Sequence, residues 1–388
     1  MGNALDKLTI KGFKSIKSLE DFKLKNLNIM IGGNGAGKSN FIDFFRMLRE
    51  MMNDNLGDFI NNKRGGISDL LFNGRKITPQ MEFKMNFGLR GYRFKIVPGV
   101  KEDFSITNEA RYYEHGTTGW WNLGDSSEGN SLLAREVQSK TPDSKYGKYV
   151  YDAITSWQIY HFHDTSSTAA MRHEEIIQDN ARLRSDAANI APFLLNLREC
   201  RNGKESLFYQ TGDSYIKLTG HKSYDQIIES VRLVTPFFDD FILNPIKKGE
   251  KEKVNLSWKQ KGSDYPMQPY HFSDGTIRFI CLATALLQPE PPSAIVIDEP
   301  ELGLHPYAIE ILAELIQSAS NTTQIIVSTQ SPHLIDKFSP EDIIVVNRKD
   351  GASTFKRLDA KELSHWLEEY SLGDLWRKNI VTGGPVSE

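Results

Sequence analysis

Two short segments, near opposite ends of this chain, restrict what it can fold into. The first reads Gly32-Gly33-Asn34-Gly35-Ala36-Gly37-Lys38-Ser39 and fits the phosphate-loop pattern G-x-x-x-x-G-K-[ST]. The apolar strand Leu27–Ile31 precedes it. The second segment is the apolar run Ala294–Ile297, typical of a buried parallel strand, which ends in the carboxylates of Asp298 and Glu299. Together they predict an α/β fold with a binding site for a nucleoside triphosphate.

The phosphate loop suits this ligand because glycines let backbone N–H groups converge on phosphate oxygens. A helix beginning near Lys38 adds its positive N-terminal end. We expect Lys38 to reach the β- and γ-phosphates and to assist catalysis, and the Ser39 hydroxyl to hold Mg²⁺. An ordinary glycine-rich turn is the alternative. The residues expected to contact the nucleotide here are Gly32, Asn34, Gly35, Gly37, Lys38, Ser39 and Asn40.

The acidic strand end supplies the second half of the chemistry. Asp298 is placed to bind Mg²⁺, directly or through water. Successive strand residues point to opposite sides, which places Glu299 to polarise the attacking water as a general base. The alternative is a pair of exposed acids that only ends a strand.

A third element lies shortly before the acidic strand and reads His271-Phe272-Ser273-Asp274-Gly275-Thr276-Ile277-Arg278. Apolar residues with helical spacing follow it. Ser273 is a good N-cap, and Gly275 lets a phosphate approach the backbone, so we expect both to contact nucleotide. An ordinary capped helix is the alternative.

These motifs resemble the RecF/SMC/OLD-type ABC-class ATPases, in which the third element is the S-x-G-x-x-R signature. Within this class the chain resembles the small bacterial AAA-family ATP-binding proteins without a long coiled coil, of the kind found in anti-phage defence modules. Four further stretches carry the resemblance. They are Leu8–Ser15 (the opening strand), Glu301–Pro306 (the loop after the acidic strand), Ile325–Pro332 (the switch strand), and Trp157–Asp164 followed by Asp179–Leu195 (the middle of this small-ATPase group).

The resemblance implies an ABC-type ATPase head, with a mixed sheet around a phosphate-loop core, a β-rich first lobe and a helical insertion. We expect residues 1–122 to form the first part of the head, 123–239 the mainly helical insertion, and 240–388 the rest of the head. It also implies ATP and Mg²⁺ as cofactors, and hydrolysis of ATP to ADP and phosphate.

One position departs from the family pattern. Many relatives carry a His at the switch position, where this chain has Gln330. Gln can donate a hydrogen bond to the γ-phosphate but cannot carry a proton charge, so sensing would survive while hydrolysis could be slow. His163 and Asp164, after the strand Trp157–Tyr160, are candidates for the Q-loop role. Each could equally cap a loop.

The resemblance further implies a homodimer joined through its ATP sites, with higher assembly left open. ATP on one subunit would be capped by Ser273 and Gly275 of the other. A separate effector chain, nuclease-like or toxin-like, is the expected partner in bacterial defence. The reason is that the stretch after Glu299 is too short for a nuclease domain, and no metal-ligand cluster is evident outside the ATP site.

The alternative is a DNA-binding ATPase of RecF/SMC type in DNA repair or genome maintenance, with double-stranded DNA as its partner. Two lysine groups are the candidate phosphate contacts, although exposed lysines are more often only solvated. The first group is Lys7, Lys11, Lys14, Lys17, Lys23 and Lys25, and the second is Lys247, Lys248, Lys251, Lys253, Lys259 and Lys261. The net charge of −3 gives no global attraction to nucleic acid.

The composition argues against membrane proteins, exported proteins and cysteine-rich zinc proteins. The chain has no apolar run long enough to span a membrane and no apolar signal core at its start, so we expect neither a membrane partner nor export. The two cysteines, Cys200 and Cys281, fit a cytoplasmic protein and exclude a cysteine-rich zinc framework.

Periodicity gives a coarse element map. We expect helices over 38–52, 54–62 and 306–320, and strands over Met81–Phe87, Tyr92–Val97, 324–328 and 342–347. The Gly-, Ser- and Asp-rich stretch 123–147 predicts a flexible insertion, and 148–238 is expected to be mainly helical.

Overall fold

The computed structural model describes residues 4–61, 64–100, 103–114, 119–127, 129–139, 141–201, 209–211, 214–216 and 221–381. The strands are β1 (Lys7–Phe13), β2 (Ile16–Lys23), β3 (Leu27–Ile31), β4 (Met81–Phe87), β5 (Arg90–Pro98), β6 (Phe104–Tyr113), β7 (Trp120–Ser126), β8 (Gln158–Tyr160), β9 (Glu175–Ile176), β10 (Tyr209–Thr211), β11 (Ser214–Ile216), β12 (Phe238–Ile242), β13 (Ile246–Lys248), β14 (Lys251–Val254), β15 (Ser257–Gln260), β16 (Pro266–Met267), β17 (Ala294–Asp298), β18 (Gln324–Thr329), β19 (Ile343–Lys349) and β20 (Ala352–Arg357). The helices are α1 (Lys38–Met52), α2 (Leu56–Asn61), α3 (Ile67–Leu70), α4 (Leu132–Gln138), α5 (Ser144–Ser156), α6 (Ile190–Arg201), α7 (His221–Val234), α8 (Asp274–Leu286), α9 (Pro306–Ala319), α10 (Pro332–Ile335), α11 (Ala360–Leu367) and α12 (Leu372–Arg377). The expected α/β class is confirmed.

The chain forms two compact units. Unit 1 comprises Met1–Ile159, Pro292–Asp298 and Ser320–Glu388, and unit 2 comprises Tyr160–Pro291 and Glu299–Ala319. Among the described residues, no helix combines the length and the apolar character that crossing a membrane requires.

Unit 1 contains two six-stranded sheets. The first has the strand order β2-β1-β4-β5-β6-β7, and its pairs are antiparallel. The second has the order β20-β19-β3-β18-β17-β8, in which β3 pairs in parallel with both β18 and β19, and β18 pairs in parallel with β17. Strand β3 is buried along its whole length, as expected for a central strand of a parallel sheet.

Aromatic side chains fix the position of α1 in unit 1. Phe44 of α1 stacks on Phe83 of β4, with ring centroids 5.7 Å apart, and Phe45 packs on Trp157, 4.9 Å away. All four side chains belong to the large buried core of this unit. Because the aromatic contacts hold α1 on both sides, its first residue, Lys38, has a defined position at the end of β3.

Unit 2 is built around α8. Residues 277–286 of this helix are all buried, and α7 and α9 pack against it. Just before the helix, Phe272 stacks on Trp258 of β15 with ring centroids 4.7 Å apart. The stacked pair fixes the chain one residue before Ser273, so it also fixes the N-terminal end of α8.

Most of the expected elements are confirmed. The helix expected over 38–52 is α1, the strand Met81–Phe87 is β4, and the strand expected over 324–328 is β18. The remaining elements of the map correspond to α2, β5, α9 and β19, each within a few residues.

The expectation of a flexible insertion over 123–147 was wrong, because α4 and the start of α5 lie there. The cause is the fully buried Glu109 of β6. Its carboxylate accepts hydrogen bonds of 2.8 Å from the backbone N–H groups of Leu132 and Leu133 and from the Ser131 hydroxyl. A carboxylate at a helix N-terminus satisfies donors that the helix cannot satisfy itself.

The expectation of a mainly helical 148–238 was partly wrong. Helices α5, α6 and α7 are present, but residues 161–189 are irregular apart from a short 3-10 turn and β9. Asn189 organises this stretch, since its side-chain amide donates to the carbonyl oxygens of Asp179 at 2.9 Å and Arg182 at 2.8 Å. Such side-chain to backbone bonds offer the chain an alternative to a helix. Residues 202–208, 212–213 and 217–220 lie outside the described part of this range.

Candidate functional site

The phosphate loop connects β3 to α1 in unit 1. Gly35 and Gly37 have φ angles of 77° and 114°, which side chains with a Cβ rarely adopt. Gly37 caps α1 without a side-chain hydrogen bond, so the first backbone N–H groups of the helix are not satisfied by a capping side chain. Gly32 lies directly against the carbonyl oxygen of Val346 and has no room for a Cβ.

A serine from the far end of the chain braces this loop. The Ser353 hydroxyl of β20 donates to the carbonyl oxygen of Ala36 at 2.6 Å and lies 2.6 Å from the Ser15 hydroxyl. The Asn40 amide donates to that same Ser15 hydroxyl at 2.7 Å. The loop, the start of α1 and the β1–β2 turn are therefore held together by one hydrogen-bonded group.

The side chains expected to meet the phosphates lie at the start of α1. Lys38 is only 6% exposed, and its ammonium donates to the carbonyl oxygens of Gly32 at 2.6 Å and Gly33 at 3.4 Å. Ser39 and Asn34 are exposed. The loop thus presents a positive helix end, an ammonium and an exposed hydroxyl, the groups that bind a polyphosphate.

The acidic strand ends at the same sheet edge as β3. In the parallel sheet Asp298 of β17 lies opposite Ser328 of β18, and Thr329 of β18 lies opposite Ile31 of β3. The carboxyl ends of parallel strands meet at one edge, so Lys38, Asp298 and Gln330 all lie on the side of the sheet where β3, β17 and β18 end. Oxygen ligands such as the Ser39 hydroxyl and the Asp298 carboxylate suit Mg²⁺.

Ser328 is a member of this edge that sequence reasoning missed. Its hydroxyl is fully buried and has no hydrogen-bond partner within the described chain. A buried hydroxyl without a partner is costly, so such a group next to Asp298 fits a site that a ligand completes. The signal available in the sequence was its place just before the switch position Gln330.

A cavity of about 340 Å³ lies beside the phosphate loop in unit 1. Next to it, the buried Asp43 carboxylate forms salt bridges with Lys14, with Arg46 at 3.1 Å and with Arg64 at 2.6 Å. The residues lining the cavity are Lys14, Ser15, Asn40, Asp69, Leu71, Phe72, Asn73, Arg348 and Gly351. Sequence reasoning noted the Lys14–Ser15 turn but not the contribution of Arg348.

Glu299, the expected general base, begins the second segment of unit 2. It has a φ of 45°, an uncommon value for a residue with a side chain. The turn that follows is closed by hydrogen bonds from the Leu302 N–H to the Glu299 carbonyl at 3.4 Å and from the Leu304 N–H to the Glu301 carbonyl at 3.1 Å. A sparsely populated backbone conformation of this kind often marks a functional position.

The signature element also lies in unit 2. Ser273 is the N-cap of α8, and its hydroxyl accepts a hydrogen bond of 3.1 Å from the Thr276 N–H. Gly275 lies directly against the carbonyl oxygen of Gly303 and has no room for a Cβ. Ser273 is exposed and Gly275 half-buried, so the helix N-terminus is accessible at this point.

The two Q-loop candidates, His163 and Asp164, each have defined contacts in the structure. The Asp164 carboxylate accepts from the Ser166 N–H at 3.0 Å and from its hydroxyl at 2.7 Å, and these bonds lower the pKa of Asp164. Asp164 therefore caps a loop, the second of the two roles considered for it. The ring of His163 packs against that of His161 in a tilted arrangement, with ring centroids 3.8 Å apart.

The lysine groups are partly neutralised. In the first group, Lys11 pairs with Glu20 at 2.9 Å and Lys14 pairs with Asp43. In the second, Lys248 and Lys253 share the Glu174 carboxylate, at 2.6 Å and 3.5 Å. Lysines already paired with carboxylates are less effective phosphate contacts.

Comparison with known proteins agrees with the geometry. Residues 27–336, more than half of the chain, match the family described as "AAA domain, putative AbiEii toxin, Type IV TA system". A solved structure of an SMC head bound to the C-winged helix domain of ScpA is 18% identical, with 93% of this chain and 99% of that chain covered and a TM-score of 0.55. No curated protein matches the chain significantly.

A second similar structure is the Smc head domain with an extended coiled coil bound to the C-terminal domain of ScpA derived from Pyrococcus furiosus. It is 18% identical, with 94% of this chain and 99% of that chain covered and a TM-score of 0.52. These likenesses confirm the expected ABC-type ATPase head fold.

Proposed function

The chain belongs to this family of AAA domains, and on that basis we propose that it binds and hydrolyses Mg-ATP as a switch whose heads clamp together in pairs. The observation that carries the proposal is that the phosphate loop, Asp298 and Gln330 all lie where the parallel strands β3, β17 and β18 of one sheet end. This edge is where open α/β sheets bind their ligands.

Each residue has a distinct task in this proposal. The N–H groups at the start of α1 and the Lys38 ammonium hold the β- and γ-phosphates. Ser39 and Asp298 would hold Mg²⁺, which neutralises phosphate charge when bound. Glu299 takes the proton of the attacking water, and the Gln330 amide donates a hydrogen bond to the γ-phosphate. Because Gln330 cannot carry a proton charge, turnover is slow.

The clamp needs a second copy of the chain. Ser273 and Gly275 of that copy would complete the phosphate site, because the N-terminus of α8 is accessible and suited to an anion. A two-fold axis then closes two identical sites together. The γ-phosphate supplies contacts that exist only in the clamped state, which makes ATP the switch.

We propose further that the clamped state controls a separate effector chain, nuclease-like or toxin-like, in bacterial defence. The description of the family names a toxin and a type IV TA system, which supports a role in a toxin-type defence system. The DNA-binding alternative has less support, because lysines in both candidate groups are paired with carboxylates.

The test is the mass in solution of the Glu299→Gln protein, with and without Mg-ATP. We expect a shift from smaller species to dimer on adding ATP, because the variant keeps the phosphate loop but lacks the general base. The matched control is Glu299→Gln combined with Lys38→Ala, which should not shift. A mass above dimer without ATP and unmoved by it would contradict the clamp. Hydrolysis by Glu299→Gln at the wild-type rate would contradict the assignment of the base.

A further inference from the structure

Arg278, the last residue of the signature element, lies buried in unit 2 with only 7% of its surface exposed. Its guanidinium donates hydrogen bonds to three backbone carbonyl oxygens. Nε reaches Phe162 at 2.8 Å, one terminal nitrogen reaches His163 at 3.0 Å, and the other reaches Leu302. A planar guanidinium with five N–H donors can bind three separate carbonyls at once, which an ammonium cannot match.

Burying this cation costs free energy of folding, so we expect its hydrogen bonds to serve a purpose that an apolar side chain would not. Desolvation lowers the pKa of Arg278 from its usual value, while the nearby Asp274 carboxylate raises it. The three carbonyl dipoles offset part of the lost hydration. An apolar side chain could fill the same volume without that cost, which suggests that the geometry of the three bonds is what the site requires.

The three carbonyls belong to two different segments. Phe162 and His163 follow β8, whereas Leu302 lies in the turn after Glu299. The Leu302 N–H donates to the Glu299 carbonyl at 3.4 Å, so Arg278 is two hydrogen bonds away from the backbone of the expected general base.

The contact between α8 and this turn is closely packed at two points. Gly275 lies directly against the Gly303 carbonyl, and a Cβ on Gly303 would be 3.0 Å from a terminal nitrogen of Arg278. The turn therefore has little freedom to slide along the helix without breaking the Arg278 bonds.

We propose that Arg278 is a positioning residue that makes the start of α8 and the turn after Glu299 move as one body. This inference rests on the proposed clamp. When Ser273 and Gly275 meet the ATP of a second copy, Arg278 transmits that contact to Glu299 of its own chain. ATP bound at one site of the dimer thereby positions the general base Glu299 of the other site, and the two sites hydrolyse ATP cooperatively.

The experiment compares wild type, Arg278→Met and Arg278→Lys. Steady-state hydrolysis is measured against ATP concentration, and binding is measured with a fluorescent ATP analogue. For two cooperating sites, wild type should give a Hill coefficient above about 1. Arg278→Met should bind the analogue within about threefold of wild type, lose about tenfold or more in kcat, and show a Hill coefficient near 1. Arg278→Lys, which can reach fewer carbonyls, should be intermediate.

The matched control is Arg198→Met. Arg198 of α6 also donates to two backbone carbonyls of unit 2, Phe241 at 3.5 Å and Leu243 at 2.7 Å, away from the signature element. We expect this variant to lower the thermal unfolding midpoint but to keep the wild-type Hill coefficient. If Arg278 were merely structural, its Met variant would behave in the same way.

Two outcomes overturn the inference, and they differ in reach. The role of Arg278 alone is overturned if the wild type hydrolyses ATP cooperatively and Arg278→Met keeps the same cooperativity. If the Met variant does not fold, unchanged cooperativity in a folded Arg278→Lys has the same meaning. Absence of ATP hydrolysis by the wild-type protein overturns the proposed function and this inference together.

Discussion

The Lys38 ammonium donates a hydrogen bond of 2.6 Å to the carbonyl oxygen of Gly32, a residue of the same loop. A carbonyl is a neutral acceptor, whereas a triphosphate offers full negative charges, so the phosphates are the stronger partner for this ammonium. The structure thus shows the lysine side chain folded back onto its own loop.

Replacing Lys38 by Ala should abolish the phosphate contact. We expect ATP affinity to fall by about 100-fold or more, because charge-assisted hydrogen bonds to phosphate are lost. Isothermal titration with ATP measures the loss. Lys17→Ala, at an exposed position on β2, is the control and should bind like wild type. Wild-type affinity in Lys38→Ala would contradict the expected role of the loop.

Ser328→Ala should separate stability from ligand binding. Removing a buried hydroxyl without a partner should raise the stability of the nucleotide-free protein by about 1 kcal/mol, while weakening Mg-ATP binding. Denaturant unfolding with and without Mg-ATP tests both parts. In the control, Ser230→Ala, the lost hydroxyl does have a partner, the Gln226 carbonyl at 2.8 Å, so stability should fall. A loss of nucleotide-free stability in Ser328→Ala would refute the prediction.

Asp43→Asn should destabilise the protein strongly. Lys14, Arg46 and Arg64 converge on this one buried carboxylate, and its neutralisation leaves three cations without their counter-charge. We expect a loss of about 3 kcal/mol in the free energy of unfolding. The control is Asp152→Asn, whose exposed pair with Lys148 should contribute less than about 1 kcal/mol. Similar unfolding midpoints for the two variants would argue against a shared role for Asp43.

We expect the buried Tyr92 to make the protein less stable at alkaline pH. Burial, aided by the Glu109 charge, raises the pKa of Tyr92 well above its usual value. Below about pH 10 the phenol is protonated in both states, and above it only the unfolded chain releases the proton. Stability should therefore fall as pH rises, by up to about 1.4 kcal/mol per pH unit.

Tyr92→Phe should remove this part of the alkaline slope. The variant should also be less stable near neutral pH, because Glu109 loses a hydrogen bond of 2.7 Å. Urea unfolding of both proteins between about pH 9 and pH 11 is the measurement. An equally steep alkaline loss in Tyr92→Phe would show that another group is responsible.

The parts of the fold that could be predicted from sequence are those set by local patterns. The glycines of the phosphate loop fix the turn conformation, and the apolar spacing after Lys38 fixes α1, so both were confirmed. Helix α4 could not be found in this way, because the Glu109 carboxylate that satisfies its first N–H groups comes from a distant strand.

The same distinction holds for the candidate site. Lys38, Asp298 and Ser273 lie in short sequence motifs, and each motif by itself indicates the chemical role of its residue. Ser353, which braces the phosphate loop from near the other end of the chain, belongs to no such motif. Its role depends on the pairing of β19 with β20 and β3, which no local pattern encodes.

Strand β3, which leads into the phosphate loop, is flanked on both sides by strands from the last part of the chain, β18 and β19. During synthesis from the N-terminus, the loop is therefore made long before these two strands exist to hold it. Contacts so distant in sequence form late and slowly. A nascent chain that has not yet reached Lys349, the end of β19, lacks the support its phosphate loop needs. We therefore expect the phosphate loop to reach its final conformation only after β18 and β19 have been made and have paired with β3.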